Sequence, residues 1–552
     1  MVGERLVELQ RRGRKQWRVV DQALQEGVAR VHPRRLGSGN VNAPAGRRAT
    51  LAAATLASGI TSLPTTALGV ALPTLHAEFQ ATLSELQWTL TAYSLTYAAL
   101  LIVAGRLADV FGHRRLFVAG AAVFGVGSVA AALADSPLWL ILSLGAIGVG
   151  GAMLVPASLA IVTQAFAGAG RTRGIAIWGG ASGLISGLGP PIGGVLTDEL
   201  SWRWIFWLGA AVAGGILLLA TRVLESRDEA ADRTIDVGGV VCLAGGISLL
   251  SLPLIEASGW GWTSPLTLGS FVAAGLVFAV FLAIEHWSTN PIFELGLFRF
   301  RNFVAGGVLK FSMNFVLASL FFLLPIYMQE LLGYSPVESG LLLLPLTATF
   351  IAGLPLGGRL LDRVGPKPPM LIGLALMAAG VYFVADLSTT ASTFQFWFPL
   401  LVLGLGLGIV LTPINAASVN AVPTEKHGEA VGILTTLIGL GSVMGVAVCG
   451  AVFKELEDAK LEHVLAGTRF NEHDEHLLEG ILAHSQTAEQ HLHGFGALEG
   501  TVLHAWREAF RYGTETTLRL SAGMLVVVLV VIALIVRSVR RAPAIAPSPD
   551  LS

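Results

Sequence analysis

Long apolar runs recur along the whole chain and are separated by short polar segments. A helix needs about 20 mostly apolar residues to cross a bilayer, and runs of that kind predict fourteen spanning helices. The runs fall near residues 50–74, 86–107, 115–134, 138–165, 173–197, 203–222, 236–256, 265–285, 303–328, 338–361, 369–386, 395–418, 429–453 and 517–537. The pattern therefore predicts an all-α membrane protein.

One short motif follows two of these runs and indicates an internal repeat. The letters G-R-L-x-D-x-x-G-x-(R/K) occur at residues 105–114 and again at 358–367. Each copy follows the second run of a set of six, and two further runs lie between the sets. Repeats of this kind are common in transporters. We therefore predict two six-helix bundles plus two extra central transmembrane helices.

Domain boundaries follow from this count. The predicted parts are a basic cytoplasmic extension, a first six-helix bundle, two linker helices with cytoplasmic flanks, a second six-helix bundle and a cytoplasmic tail. They cover residues 1–48, 49–225, 226–300, 301–541 and 542–552. Inside the second bundle, residues 454–515 form a long extracytoplasmic loop, with helices predicted at Lys454–Leu465 and Asp474–Leu492.

Basic residues between the runs predict the orientation in the membrane. Cytoplasmic loops carry an excess of Lys and Arg, and alternating spans bring most of the basic residues to one side. They include Arg114, Arg115, Arg171, Arg173, Arg222, Arg299, Arg363, Lys367 and Arg540. Both termini are therefore predicted to be cytoplasmic, in a plasma (inner) membrane. The basic extension could also rest on anionic membrane lipid, although a solvated tail is an equal alternative.

Composition excludes several classes of protein. Charged residues make up 13% of the chain, about half the usual share of a soluble domain, which is about 25%. The net charge of -1 gives no sign of nucleic-acid binding. Cys242 and Cys449 lie in apolar runs, without the spacing of a metal site. The chain contains no G-x-x-x-x-G-K-(S/T), which argues against ATP-driven transport, and no cofactor or enzymatic constellation is indicated.

The fifth run is unusually rich in small residues. Glycine, alanine and serine recur at spacings of three and four through residues 179–194, which leaves one helix face nearly bare and allows close packing. Pro190 and Pro191 interrupt the backbone hydrogen bonds and predict a kink. We interpret this run as a hinge at a domain interface; ordinary packing of small residues is the alternative.

These motifs resemble the major facilitator superfamily, in its fourteen-helix drug:proton antiporter branch. The motif at 105–114 resembles the signature loop between the second and third helices, and G-P-P-I-G-G at 189–194 resembles the antiporter motif. Residues 201–206 and 332–336 are also similar to that branch, and the likeness covers residues 50–540. It implies two six-helix domains, a central cavity and rocking alternating access.

The resemblance also implies roles for particular residues. The cytoplasmic gate would contain Gly105, Arg106, Asp109, Gly112 and Arg114, with Arg359 and Asp362 in the second copy. The hinge would contain Gly187, Gly189, Pro190, Gly193 and Gly194. For the gate copies, a positive-inside turn that only fixes topology is the alternative.

The buried charges usual in that branch are absent here. Its first helix usually carries Asp and Asn, where this chain has Pro64 and Gly69. An Arg and a Gln of the fourth helix correspond to Leu144 and Ile147, and a later Arg-Gln pair corresponds to Ile438 and Gly439. Charges inside a membrane are costly and usually functional. Their loss indicates a changed mechanism or a changed substrate.

One unusual charge occurs instead. Lys310 lies about 10 Å inside its run, at a rise of about 1.5 Å per residue, and Asn314 follows on the same helix face. Lys310 could bind an anionic group or carry a coupling proton; snorkelling to the interface is the alternative. The candidate residues for substrate binding or coupling are Lys310, Asn314, Thr65, Tyr93 and Asn415.

The sequence therefore predicts a secondary transporter that exports lipophilic or amphipathic, drug-like small molecules, with protons as the possible coupling ion. Two alternatives stay open at this point. The first is a lipid or glycolipid exporter, which the missing charges and the long outer loop favour. The second is a non-transporting membrane sensor or scaffold, for which a sealed centre would be expected.

Overall fold

The computed structural model describes residues 44–166, 170–220, 237–288, 294–386, 393–423, 426–466 and 499–536, and helices are the only regular secondary structure in these ranges. The described residues from Arg47 onward belong to one compact unit. The all-α membrane fold predicted from the apolar runs is confirmed.

The first half contains eight helices. They are α1 Pro44–Ile60, α2 Leu63–Phe79, α3 Leu83–Phe111, α4 His113–Ala132, α5 Pro137–Ala165, α6 Arg171–Gly187, α7 Gly189–Glu199 and α8 Arg203–Ala220. Two linker helices follow, α9 Val237–Trp260 and α10 Pro265–Trp287.

The second half begins after a short 3₁₀ turn, Leu295–Arg299. Its helices are α11 Arg301–Ile326, α12 Pro336–Leu342, α13 Leu344–Val364, α14 Lys367–Ala385, α15 Thr393–Val419, α16 His427–Leu465 and α17 Glu499–Ile535. A π-helical turn, Tyr327–Leu331, continues α11 at its end.

The second span of each half is bounded by the same local devices. A capping box of Thr82 and Glu85 starts α3, and a capping box of Ser335 and Glu338 starts α12. Both boxes satisfy the free N–H groups of a helix start. The spans end at Gly112, with φ of 100°, and at Gly365, with φ of 80°, a backbone conformation that glycine adopts without strain. We call the end of the protein that carries these glycines and the two motifs the motif end, and the other end the opposite end.

Thirteen helices in the described ranges are long and apolar enough to span a membrane. The remaining predicted span, near 173–197, is divided into α6 and α7 at Leu188. Neither Pro190 nor Pro191 has a backbone N–H, so the carbonyls of Ser186 and Gly187 lose their helical partners. The helix therefore breaks at this place instead of running through.

The predicted outer loop is largely an extension of two spanning helices in its described parts. α16 has 39 residues, which corresponds to about 58 Å at a rise of about 1.5 Å per residue. Lys460 of α16 pairs with Glu508 of α17 at 2.9 Å, and the rings of Phe453 and Phe510 lie 5.0 Å apart. The predicted helix Asp474–Leu492 lies outside the described residues, as do most of the extension 1–48 and the tail 542–552.

The linker helices are attached to both halves through α9. This helix packs against α3 of the first half, α16 of the second half and its partner α10. Glu256 of α9 accepts hydrogen bonds from Ser84 Oγ at 2.6 Å and Trp88 Nε1 at 2.9 Å. Beyond the end of α9, Trp262 Nε1 donates to Glu455 of α16 at 2.9 Å. The linker pair therefore lies over the seam between α3 and α16.

Candidate substrate cavity and gates

A cavity of about 300 Å³ lies between the two halves. The first half contributes the junction of α1 and α2 together with α3 and α6, and the second half contributes α11 and α16. The lining residues are Thr61, Ser62, Thr65, Thr66, Leu90, Tyr93, Ser94, Tyr97, Ser186, Asn314, Leu317, Ala318, Phe321, Ile438, Gly439, Ser442 and Val446. None of these lining side chains is charged, so the cavity is neutral, with hydroxyl groups set among apolar surface.

The first span breaks where it reaches this cavity. α1 ends at Ile60 and α2 begins at Leu63, with Pro64 in its first turn. Thr65 and Thr66 both donate hydrogen bonds to the carbonyl oxygen of Ser62, at 2.9 and 3.0 Å. Side-chain hydrogen bonds of this kind compete with the regular helix and bend it. The break presents a row of hydroxyl oxygens to the cavity.

Two tyrosines of α3 form an aromatic wall. The rings of Tyr93 and Tyr97 are stacked, with centroids 5.7 Å apart and planes inclined by 17°. The Tyr93 hydroxyl donates to the carbonyl oxygen of Thr61. This bond fixes the first ring, and through stacking it positions the second.

Close backbone packing closes the cavity at the opposite end. A side chain on Gly194 would collide with the carbonyl oxygen of Pro336 in the second half, and one on Gly340 would collide with the carbonyl oxygen of Pro190. Nearby, Gln329 Nε2 of the second half donates to the carbonyl oxygen of Val70 at 2.8 Å. The two halves therefore meet here at backbone distance.

The break in the fifth span supplies another contact between the halves. Pro191 leaves the carbonyl of Gly187 without a helical donor, and Thr347 Oγ1 of α13 donates to it at 2.8 Å. Gly193 and Gly189 instead face their own half, against Ala67 and Thr66. The predicted hinge residues thus divide into two groups: Gly187, Pro190 and Gly194 contact the second half, and Gly189 and Gly193 pack within the first.

The halves diverge on the other side of this break, along α6 and α13. No atom of another segment lies within 4 Å of where a side chain would begin at Gly179 or Gly180. The neighbouring Ile177 is 43% exposed. Near the break, Gly183 still approaches Phe350 of α13, while α3 and α16 remain packed together along the cavity. α6 and α13 therefore separate toward the motif end, whereas Ala98 and Ile102 of α3 still approach Gly439 and Gly432 of α16 there.

The first copy of the gate motif is organised within the first half. Asp109 Oδ1 lies 3.0 Å from Nε2 of His113, the first residue of α4, and the Asp109 side chain is 48% exposed. Arg114 Nε donates to the carbonyl oxygen of Ala220 at 3.0 Å, at the C-terminus of α8, where a cation is stabilised by the helix dipole. Arg106 is half-buried, and Gly105 approaches Pro156. In the second copy, Arg359 and Asp362 are exposed.

The candidate substrate residues are only partly brought together. Thr65, Tyr93 and Asn314 line the cavity, whereas Asn415 is exposed and lies outside its lining. Lys310 is 7% exposed and lies one helical turn from Asn314, whose Nδ2 donates to the Lys310 carbonyl oxygen at 3.0 Å. No carboxylate of the described residues forms an ion pair with Lys310. It is therefore a buried cation near the cavity.

Several residues at these sites were not identified as candidates from the sequence. Tyr97, Ser186 and Ser442 line the cavity, and Thr347 and Gly340 join the halves. The spacing of Tyr97 from Tyr93, one helical turn, was the one available indication. The others become recognisable only once the packing of distant spans is known.

Comparison with known proteins gives consistent matches. The family model described as Major Facilitator Superfamily matches residues 54–446. The Tetracenomycin C resistance and export protein of Streptomyces glaucescens is 34% identical over 410 residues, which cover 73% of this chain and 75% of that protein. The Multidrug resistance protein Stp of Mycobacterium tuberculosis (strain CDC 1551 / Oshkosh) is 32% identical over 428 residues, covering 77% of this chain and 80% of that protein.

Solved structures match in fold. A bacterial homolog of the human lysosomal transporter Spinster, crystallised in an inward-facing and unoccupied conformation, superposes with a TM-score of 0.60 at 16% identity, covering 91% of this chain and 100% of that one. A POT family transporter in complex with 5-aminolevulinic acid gives a TM-score of 0.61 at 13% identity, with 88% and 95% covered. At these identities the likeness concerns the fold alone.

Proposed function

This chain belongs to the Major Facilitator Superfamily, and from that membership we propose that it is a secondary transporter that exports lipophilic or amphipathic small molecules by alternating access. The observation that carries the proposal is the neutral cavity between the two halves, closed at the opposite end and flanked by diverging helices toward the motif end. Relatives named for antibiotic resistance and export support the direction of transport. An open cavity favours transport over a scaffold with a sealed centre.

The orientation and the coupling ion are part of the same proposal. The motif end carries the excess of basic residues, so it faces the cytoplasm of a plasma membrane, with both termini on that side. Opening between α6 and α13 then admits substrate from the inside. Protons are the proposed coupling ion, with Lys310 as the group that binds and releases them.

The direct test is flux in proteoliposomes that contain the purified protein. A neutral lipophilic fluorophore would be followed with and without an imposed pH gradient, with protein-free liposomes as the control. We expect the fluorophore to cross the membrane only when the protein is present, and to move against its own concentration gradient when the pH gradient is imposed. Movement equal to that of empty liposomes, over a range of probes, would contradict the proposal.

A lipid exporter is the second candidate, and a surface groove favours it. The groove has a volume of about 680 Å³ between α4 and α5, and its wall includes Val126, Trp139 and Leu142, all at least half exposed. An acyl chain would fit in this apolar groove. Translocation of a fluorescent phospholipid in the same proteoliposomes, without movement of the neutral fluorophore, would favour this candidate.

The gate motif gives a first prediction. Asp109→Asn should lower export about fivefold at normal membrane levels, because the His113 contact loses its charge and a half-exposed pair contributes up to about 1 kcal/mol. Initial export rates, normalised to protein in the membrane, provide the measurement. Asp198→Asn is the matched control, since Asp198 is an exposed carboxylate in the last turn of α7. Equal rates for both variants would remove Asp109 from the gate.

The linker contacts give a second prediction. Cysteines at Trp262 and Glu455, joined by a short reducible cross-linker, should stop export until reductant is added, because the halves must separate at this end. The same linkage between Ser84 and Glu256 should leave export unchanged, because it joins α9 to the first half alone. Both pairs would be made in a protein with Cys242 and Cys449 replaced by alanine. Unimpaired export with the 262–455 linkage would show that the linker does not cross a moving seam.

A further inference from the structure

Most hydroxyl groups around the cavity already donate their proton in a hydrogen bond within the protein. Thr61, Ser62, Thr65 and Thr66 each donate to a backbone carbonyl three or four residues earlier, at 2.7 to 3.0 Å. A hydroxyl group has one proton and two acceptor lone pairs. Each of these oxygens therefore presents acceptor capacity, without a free donor, to a bound molecule.

The facing helices continue this pattern. Tyr93 donates to the carbonyl of Thr61, and Ser442 of the second half donates to the carbonyl of Ile438 at 3.2 Å. Asn314 uses one amide proton on its own helix and keeps its side-chain oxygen and its second amide proton available. Within the described residues, Tyr97 and Ser186 line the cavity with hydroxyls that donate no hydrogen bond, and the Ser94 hydroxyl reaches the carbonyl of Leu90 only at 3.5 Å. Acceptors thus outnumber donors on the cavity wall.

Charge and shape restrict the ligand further. Among the described residues, no carboxylate lines the cavity to balance an organic cation, and the buried Lys310 lies one turn from Asn314. Placing a second cation near it would be costly in a low-dielectric environment. The stacked Tyr93 and Tyr97, with Phe321 across the cavity, offer flat apolar surface to a ring system, for which offset stacking is favourable.

We propose that this cavity selects uncharged aromatic compounds that carry hydrogen-bond donors, such as phenols and hydroxylated ring systems, over their O-alkylated counterparts and over organic cations. The proposal rests on the proposed function, because it names the substrate class of the same cavity. A donor on the ligand meets a hydroxyl oxygen whose own proton is already bound, so the bond forms without disturbing the helices. An ether oxygen at the same position has no proton to donate, so it cannot form a hydrogen bond with these hydroxyl oxygens.

The test compares binding of matched probes to the purified protein in lipid nanodiscs. The probes are oestradiol, its methyl ether at the phenol, and tetraphenylphosphonium as the cation. One additional hydrogen bond should make oestradiol bind about fivefold more tightly than the ether, and the cation should bind more weakly than either. Equal affinities of oestradiol and the ether, or tighter binding of the cation, would overturn the proposal.

Variants locate the preference in the cavity. Thr65→Val with Thr66→Val replaces two hydroxyls by methyl groups of similar shape, and Ser442→Ala removes an acceptor of the second half. Because the phenol has one proton to donate, at least one of the two variants should bring the affinities of oestradiol and its ether close together. The affinity of the ether should be retained, which also shows that the protein is folded. Thr163→Val is the control, because Thr163 bonds its own helix in the same way, to Ala160 at 2.8 Å, outside the cavity. A preference unchanged in both cavity variants would overturn the assignment.

This binding assay separates the inference from the proposed function. If the protein binds the phenol selectively but transports none of the probes, the proposed export is contradicted and the proposed ligand class is retained. Flux of the neutral fluorophore without selectivity between oestradiol and its ether would overturn the ligand class and leave export intact.

Discussion

Gly194→Leu is expected to abolish export while the protein still reaches the membrane. The backbone of Gly194 touches the carbonyl of Pro336 across the interface, so a side chain cannot fit unless the two halves move apart. Overpacking in a close-packed site typically costs about 1–3 kcal/mol. In the proposed alternating access this contact is lost when the opposite end opens, so the cost is expected to fall on the closed state and to shift the protein toward opening at this end.

Gly214→Leu is the matched control in the same half, because it lies in α8, which packs only against helices of the first half. Its side chain would enter open space, since no atom of another segment lies within 4 Å. Export by this variant should stay close to that of the unmodified protein. The shift in conformation would be measured by labelling a cysteine at Val446, in the cavity, with a membrane-impermeant maleimide from outside. Similar labelling and similar export for the Gly214 and Gly194 variants would contradict the role of this contact.

Gly193→Leu should fail for a different reason. Gly193 packs against Ala67 of its own half, so a larger side chain disrupts the first bundle itself. Lower thermal stability in detergent, without increased labelling from outside, is the expected result. The Gly193 and Gly194 variants therefore distinguish an effect on the folding of the first half from an effect on the contact between the two halves.

Lys310→Met is expected to abolish uphill export driven by a pH gradient and to leave downhill movement of a lipophilic substrate largely intact. Proton coupling requires a group that gains and loses a proton as access alternates. By the resemblance to the antiporter branch, the positions expected to carry charge correspond here to Pro64, Leu144 and Ile438, none of which can titrate. Lys310 is 7% exposed and has no carboxylate partner among the described residues. It is therefore the candidate for this role.

Lys310→Arg sharpens this test, because arginine keeps the positive charge and does not release its proton. If Lys310 carries the coupling proton, both variants lose uphill export. If Lys310 only supplies a fixed charge, the arginine variant retains it. Uphill export that survives in the methionine variant would exclude Lys310, and no response of the unmodified protein to a pH gradient would exclude proton antiport.

The spans could be predicted from sequence because membrane crossing depends on local apolar content. The break at Leu188 was also predictable, since two successive prolines remove specific hydrogen bonds whatever the surroundings. The helix predicted at Lys454–Leu465 is present, but its continuity with the preceding spanning helix was not predicted. The apolar run stops near residue 453, yet polar residues such as Lys454 and Lys460 continue the helix to Leu465, because packing against α17 stabilises it beyond the membrane.

The cavity was less predictable because it depends on which face of each helix turns inward. Tyr93 and Asn314 were identified as polar residues in apolar runs, and both line the cavity. Asn415 has the same local signal and lies outside the lining. Ser442 and Ser186 are small hydroxyl residues, which are common in packed membrane helices, so only their three-dimensional neighbours distinguish them.

The two attachments of the linker pair differ in how easily they can be released. Ser84 and Trp88 hold Glu256 in a part-buried place, where hydrogen bonds to a carboxylate are strong, whereas the Trp262–Glu455 bond is exposed to competing water. If the halves rock as proposed, we expect the Trp262–Glu455 bond to break first and the linker helices to move with the first half. In the proposed cycle, breaking the Trp262–Glu455 bond would therefore contribute to the free-energy barrier for outward opening, whereas the bonds of Glu256 to Ser84 and Trp88 would stay intact.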